Sequence, residues 1–213
     1  MRFLLLCLLL VAAKASWADV PAARVNGVTI DQLRLERYFS EYLQAQGRAV
    51  ASIRNPTLYK RLREQALDEL IDKELLWQEA QRQGIHISDE QVSAQVSEVE
   101  AAFASPALFA TRLADAGFDR AEYADYMRRE LAAQRVYAQL SAVDEPSQAE
   151  VAAFYQANRQ TLQGAQNQSV SALVIPEPAL QLAKAALIGQ LQAQARQSVR
   201  QRLRESATVE IAD

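Results

Sequence analysis

The chain has 213 residues, 50% of them hydrophobic and 7% aromatic, with a formal net charge of −3. That length buries a sizeable core as one large or two small domains. The absence of any basic block argues against nucleic acid as a main partner, and so few aromatics leave little from which to line a ligand pocket. Only 6 Gly and 6 Pro among many Ala, Leu, Gln, Glu and Arg point to a mostly helical protein.

The chain starts with a segment that reads as a leader. Arg2 supplies a positive start, Phe3 to Ala13 is apolar, and Ser16-Trp17-Ala18 carries small residues where a signal peptidase reads. We expect cleavage after Ala18, since the run is shorter than the roughly 20 apolar residues of a membrane span. Leu6 precedes Cys7 where a lipoprotein signal needs a small residue, so stable membrane attachment is not expected. Cleavage takes Arg2 and Lys14 from the 23 basic residues and none from the 26 acidic ones, moving the net charge from −3 to −5. It also removes Cys7, the single cysteine, so the mature chain depends on packing and not on disulfides.

Ala22 to Ile30 has Asn26-Gly27 between short apolar pieces, the strongest short hairpin signal. A helix from about Asp31 follows, with Leu33, Leu35, Tyr38, Phe39, Tyr42 and Leu43 as its apolar face. Gly47 to Pro56 reads as a loop. From Tyr59 a long helix runs to Gly84, with Leu62, Ala66, Leu67, Leu70, Ile71, Leu75, Leu76, Trp77 and Ala80 on a wide apolar face. Glu69 and Lys73 have the order that favours a helical ion pair. Gly84 suits a left-handed helix stop.

Ile85-His86-Ile87 then links to Ser88, which with Gln91 forms a capping-box pattern. Val92, Val96, Val99 and Phe103 mark the next helix. Ser105-Pro106 starts another, through Leu108, Phe109 and Leu113 to Gly117. Asp119 with Glu122 caps a helix carrying Tyr123, Tyr126, Met127, Leu131, Val136, Tyr137 and Leu140. Ser147 with Glu150 repeats the pattern and opens a helix with Val151, Phe154 and Tyr155. Thr161 to Ser171 is polar and aperiodic, a linker, and Leu173 to Ile175 is a short apolar patch. A last helix runs from Ala179 to about Glu205, and Ala207 to Ile211 alternates like an edge strand. We expect that strand to pair with the Arg24 to Ile30 region, because one short hairpin is marginal alone.

Several segments together, ARVNGVTI, LDELIDKELLWQEAQRQGIHISDEQV, FDRAEYADYMRRELAAQRVYAQL, PSQAEVAAFYQANRQ and the closing VRQRLRESATVEI, resemble the SurA-type periplasmic chaperones and their exported parvulin-type prolyl isomerase relatives. The resemblance implies a mostly α, multi-helix chaperone domain with a small antiparallel β element pairing the N- and C-terminal ends. It divides the chain into a signal peptide at 1–18, a helical domain at 19–161, a linker at 162–176, and a C-terminal helix and strand at 177–213 that complete the domain. In that family a parvulin domain is normally inserted where this linker stands; a domain needs on the order of a hundred residues. Parvulin sites resemble a histidine pair with an acid or thiol. Here His86 is the only histidine, and Ala172 stands where the family has one, so no catalytic residue is carried over.

Other residues yield no chemistry. His86 suits a connector position better than a pH switch, and no second histidine or thiolate completes a metal site. The acid pairs Asp68/Glu69 and Asp89/Glu90 fit a solvated helix face and a helix first turn. Phosphate loops, nucleophile elbows and zinc spacings are absent, and no cofactor is expected. Trp77 with Leu70, Leu75 and Leu76 reads as core. The candidate peptide-binding residues are Phe103, Phe109, Phe118, Tyr123, Tyr126 and Met127, on short helices around Pro106 and Gly117, where aromatic and methionine side chains offer adaptable apolar contact.

The expected function is that of a periplasmic, ATP-independent holdase for unfolded or partly folded envelope and outer-membrane proteins. The alternatives are an isomerase-family protein with degenerate or absent activity, or a dedicated assembly factor for a secretion or exopolysaccharide system. The polar linker permits swapping of the terminal helix and strand into a homodimer.

Overall fold

In the computed structural model, residues 20–164 and 175–212 are described; the leader, Cys7 and most of the expected linker, including Leu173, lie outside them. The described chain is eight α-helices with one three-stranded antiparallel sheet. It forms two compact units, one of residues up to Ile71 together with Thr208 onward, the other of Asp72–Ala207.

The first unit is built on a hairpin, β1 (Pro21–Val25) and β2 (Val28–Asp31). Asn26 and Gly27 both have positive φ, 51° and 83°, which a two-residue type I′ turn requires and which these two residue types tolerate best. Ala23 pairs with Ile30, Arg24 with Thr29 and Val25 with Val28. The closing strand β3 (Val209–Ile211) adds on the other side of β1, giving the order β2-β1-β3. The pairing of the two chain ends is therefore present, at Ala23–Val25 of β1. Asn26 also fixes where β3 begins: its N–H donates to the Thr208 carbonyl at 2.8 Å and its Oδ1 accepts from the Thr208 N–H at 2.9 Å.

Asp31 ends β2 and caps α1 (Gln32–Ala45), its side chain accepting from the Arg34 N–H. In α1, Leu35, Phe39 and Leu43 recur at steps of four and are fully buried. Phe39 and Leu43 pack with Leu62 and Ala66 of α2 (Pro56–Arg82), and the Phe39 and Tyr59 rings meet edge to face at 5.2 Å. Each such buried side chain contributes about 1.5–3 kcal/mol. Helix α2 starts a turn earlier than Tyr59, because Asn55 Oδ1 accepts from the N–H groups of Thr57 and Leu58 and Pro56 takes the first helical position. Glu69 accepts from the Tyr38 hydroxyl at 2.8 Å, and Lys73 pairs with Glu130, partners outside α2 that its own periodicity cannot name.

Helix α2 stops at Gly84, φ 67°. Ile85 N–H bonds back to the Ala80 carbonyl and Gly84 N–H to the Gln81 carbonyl, the paired bonds of a Schellman stop. Within the second unit, α3 (Asp89–Ala101), α4 (Pro106–Asp115) and α5 (Arg120–Leu140) follow, then α6 (Gln148–Ala157), α7 (Arg159–Gly164) and α8 (Glu177–Glu205). Ser88/Gln91, Asp119/Glu122 and Ser147/Glu150 all form complete capping boxes. One expectation changes: residues 161–164 belong to α7 and not to an aperiodic linker. Leu162 explains this, since it packs on the Val151, Tyr155, Ala179 and Ala183 cluster between α6 and α8. The larger core gathers Leu76, Ala80, Ile87, Val92, Val96, Phe109, Leu113, Ala132, Ala133, Val136 and Val199.

Candidate functional site

The region around α4 combines three locally encoded features. Ser105 caps α4 by accepting from the Leu108 N–H, with Pro106 at the first position. Gly117, φ 73°, ends it, and the Phe118 N–H returns to the Leu113 carbonyl at 2.9 Å. Asp119 then caps α5. These short-range bonds turn the chain twice within about fifteen residues and bring Phe103, Phe109, Phe118, Tyr123 and Tyr126 together.

Their rings form a continuous chain of contacts. Phe103 and Phe109 centroids are 5.4 Å apart, Phe109 and Tyr123 5.9 Å, and Phe118 and Tyr123 5.8 Å. Phe118 and Tyr126 are 5.5 Å apart, and Tyr123 and Tyr126 6.0 Å. These separations lie in the range where aromatic pairs attract beyond simple burial. Met127 packs against the same core, as do Phe103, Phe118 and Tyr123.

The six candidates are not equivalent. Phe109 is 1% exposed and forms a floor that nothing from outside touches in this conformation. Phe103, Phe118, Tyr123, Tyr126 and Met127 are half-buried and reach the surface. Arg120 locks the arrangement: its guanidinium lies 6.0 Å from the Phe109 centroid and its Nη2 donates to Glu100 at 2.7 Å.

The surface above this floor is the part that residue-by-residue reading missed. On α4 only Phe109 and Leu113 are buried. Ala101, Ala102, Ala104, Ala107, Ala110, Ala114 and Ala116 are all exposed, and Leu108 is 39% exposed. From Ala101 to Ala116 the only charged residues are Arg112 and Asp115, which pair with each other at 3.7 Å. Thirteen of these sixteen residues are exposed, and with only two charges, paired with each other, they make a low-charge surface. The low charge density was the signal that would have found it.

The remaining candidates are placed in structural roles. His86 is exposed on the link before α3, and its carbonyl accepts from Arg135 at 3.0 Å. Arg128 donates to the Ile87 carbonyl and to Asp89, both at 2.8 Å, tying that link to α5. Glu90, beside Asp89, is held below the usual carboxylate range by the Ser88 hydroxyl. Trp77 is half-buried against the larger core with the Arg129 guanidinium 5.6 Å from its ring. Among the described residues no group of three or more His, Cys, Asp or Glu is placed to hold a metal ion. None of their helices is long and apolar enough to cross a membrane.

Residues 4–137 match the family model described as the SurA-like N-terminal domain. Among solved structures, a chain from the work on the virulence factor PEB4 and the periplasmic protein Cj1289, two structurally related SurA-like chaperones of Campylobacter jejuni, is similar with a TM-score of 0.54. The match covers 91% of this chain and 99% of that one at 11% identity, so the likeness is one of fold. No curated protein matches the sequence.

Proposed function

The chain belongs to the family of SurA-like N-terminal domains, and from that premise we propose that it is an exported, ATP-independent holdase of the periplasm. In this reading residues 1–18 are removed on export, and 162–176 mark the place where the resemblance puts a parvulin domain. Its clients are unfolded or partly folded envelope proteins, outer-membrane proteins among them.

The observation that carries the reading is the mostly exposed, low-charge stretch from Ala101 to Ala116, which also carries Phe103 and Phe109 of the aromatic chain. Removing apolar area from water favours association without regard to sequence, and the cost of ordering the client leaves only part of that gain as affinity. A shallow surface of alanines, Leu108 and half-buried rings therefore binds many apolar segments weakly. Holding is mass action: capture of the unfolded chain lowers its free concentration and slows aggregation. Weak, shallow contact also lets clients leave without an energy source.

The test pairs two assays on one preparation of the mature chain. Aggregation of a chemically unfolded outer-membrane protein is followed with and without the chain, beside protease-coupled isomerisation of an Xaa-Pro peptide. Suppressed aggregation with no isomerisation is expected. Phe118→Ala and Tyr126→Ala should weaken suppression while the fold survives, because both rings are only half-buried. Isomerisation above background would sink the holdase as the sole activity. Neither activity would turn attention to a dedicated assembly role.

A further inference from the structure

The register of the small sheet determines which backbone groups are spent and which face outward. In an antiparallel pair, opposite residues alternate between exchanging both hydrogen bonds and exchanging none. Between β1 and β3 the Asn26 N–H bonds to Thr208 and the Ala212 N–H to Ala22. Arg24 and Glu210, midway between them, are therefore the next bonded pair in the register. Val25 opposite Val209 and Ala23 opposite Ile211 are then unbonded pairs. It follows that the N–H and C=O of Val209 and Ile211 point away from β1, along the outer edge of β3.

The opposite edge differs. The two-residue turn makes Val25 with Val28 a bonded pair, so Ala23 with Ile30 is bonded and Thr29 alone faces outward between them. Edge β3 thus offers two outward residues at the two-residue spacing of a strand. Their side chains lie on the face of Ala23 and Val25, which are 1% and 0% exposed. Ile211 is 58% exposed, the most exposed large hydrophobic residue among those described. The sheet's apolar face therefore continues to an uncovered margin.

We propose that the outer edge of β3, through the backbone of Val209 and Ile211, takes an extended segment of an unfolded client as a fourth strand, with apolar residues at alternate positions flanking a neutral or basic one. Backbone pairing is independent of sequence, while alternate pockets supply preference, as in other strand additions. Glu210 lies opposite Arg24 in the register and carries its carboxylate on the outermost strand, so it tolerates a neutral or basic residue beside it and disfavours a second copy of this chain. Two β3 strands paired about a two-fold axis at that residue would place Glu210 opposite Glu210, and like charges directly opposite destabilise. This inference rests on the client-binding reading above but uses a different surface.

The test uses the mature chain and a nine-residue peptide alternating valine and threonine with lysine at its centre. A second peptide has the same sequence with one valine beside the central lysine N-methylated, so that the edge facing β3 loses a single donor. Amide exchange is followed residue by residue by NMR. Added peptide is expected to slow exchange at Val209 and Ile211, and N-methylation to weaken binding about fivefold, the worth of one net hydrogen bond. Ile211→Pro removes an outward N–H and spares the ladder donors at Glu210 and Ala212, so it should weaken binding similarly with the circular dichroism unchanged. Should that variant not fold, the N-methyl peptide makes the same comparison on the unmutated chain. If aggregation is suppressed and the peptide binds but exchange at Val209 and Ile211 does not change, this inference falls and the holdase stands. If the wild-type chain holds no client and binds no peptide, both fall. Protection of these amides that grows with protein concentration alone would assign the edge to a second copy and overturn the proposal.

Discussion

Two parts of the second unit are started by the same local signal and end with different packing. Helix α5 and helix α6 each open with a complete capping box, Asp119/Glu122 and Ser147/Glu150. The α3–α5 region then buries side chains in a large core with a continuous chain of five rings. The α6–α8 pair buries only Val151, Tyr155, Ala179 and Ala183 in its cluster, and the Lys184–Glu145 ion pair ties α8 to the link before α6. A cap decides where a helix starts. How strongly the helix is held depends on what its apolar face meets. The two regions should therefore respond alike to loss of a cap and differently to loss of a core side chain.

The largest expected effect is Phe109→Ala. The residue is 1% exposed and touches Phe103 and Tyr123, so truncation should cost about 3–5 kcal/mol, read from urea unfolding. A cost below that of a surface substitution would mean that α4 is not anchored by this ring. Val151→Ala in the smaller cluster should cost about 1.5 kcal/mol, two methyl groups' worth of transfer. An equal loss at both sites would erase the contrast between the regions.

Asp119→Ala and Ser147→Ala should each cost about 1 kcal/mol, whatever core lies beyond. Paired unfolding curves that differ by more than a factor of two would show that the caps are coupled to packing. The smallest effect is acid sensitivity. The Lys184 hydrogen bond holds Glu145 below the usual carboxylate range, and the Ser147 hydroxyl does the same for Glu150. A depressed folded value means that the stabilisation is present above the unfolded glutamate pKa of about 4.3 and is lost as pH falls through the folded values. Amide protection across 148–157, taken relative to the intrinsic exchange rate at each pH, should fall below about pH 4, and Glu150→Gln should reduce that pH dependence. A flat profile in the unmutated chain would remove these carboxylates from the account.

The binding candidates show how far a sequence can be read for a site. Phe103, Phe109, Phe118, Tyr123 and Tyr126 do converge, because Ser105, Gly117 and Asp119 turn the chain through bonds spanning a few residues. Periodicity does not distinguish the ring that becomes floor from the rings that reach solvent. Phe109 and Leu108 are adjacent apolar residues on one short helix, yet one is 1% exposed and the other 39%. Only the packing of α4 on α3 and α5 separates them.

By itself the sequence determined the Asn26-Gly27 hairpin, the three capping boxes, the glycine stops and the mostly helical class. Each rests on φ preferences or hydrogen bonds that close within about five residues, so no distant partner is needed. The pairing of the chain ends was legible too, but the tertiary structure alone decided that Glu69 meets Tyr38 and Lys73 meets Glu130, that Leu162 keeps α7 helical, and that β3 takes the register opposite Ala23–Val25 that turns Val209 and Ile211 outward. Those outcomes depend on segments up to 188 residues apart arriving at one place, Ala23 and Ile211 among them, and nothing in either segment's own pattern specifies which residues meet.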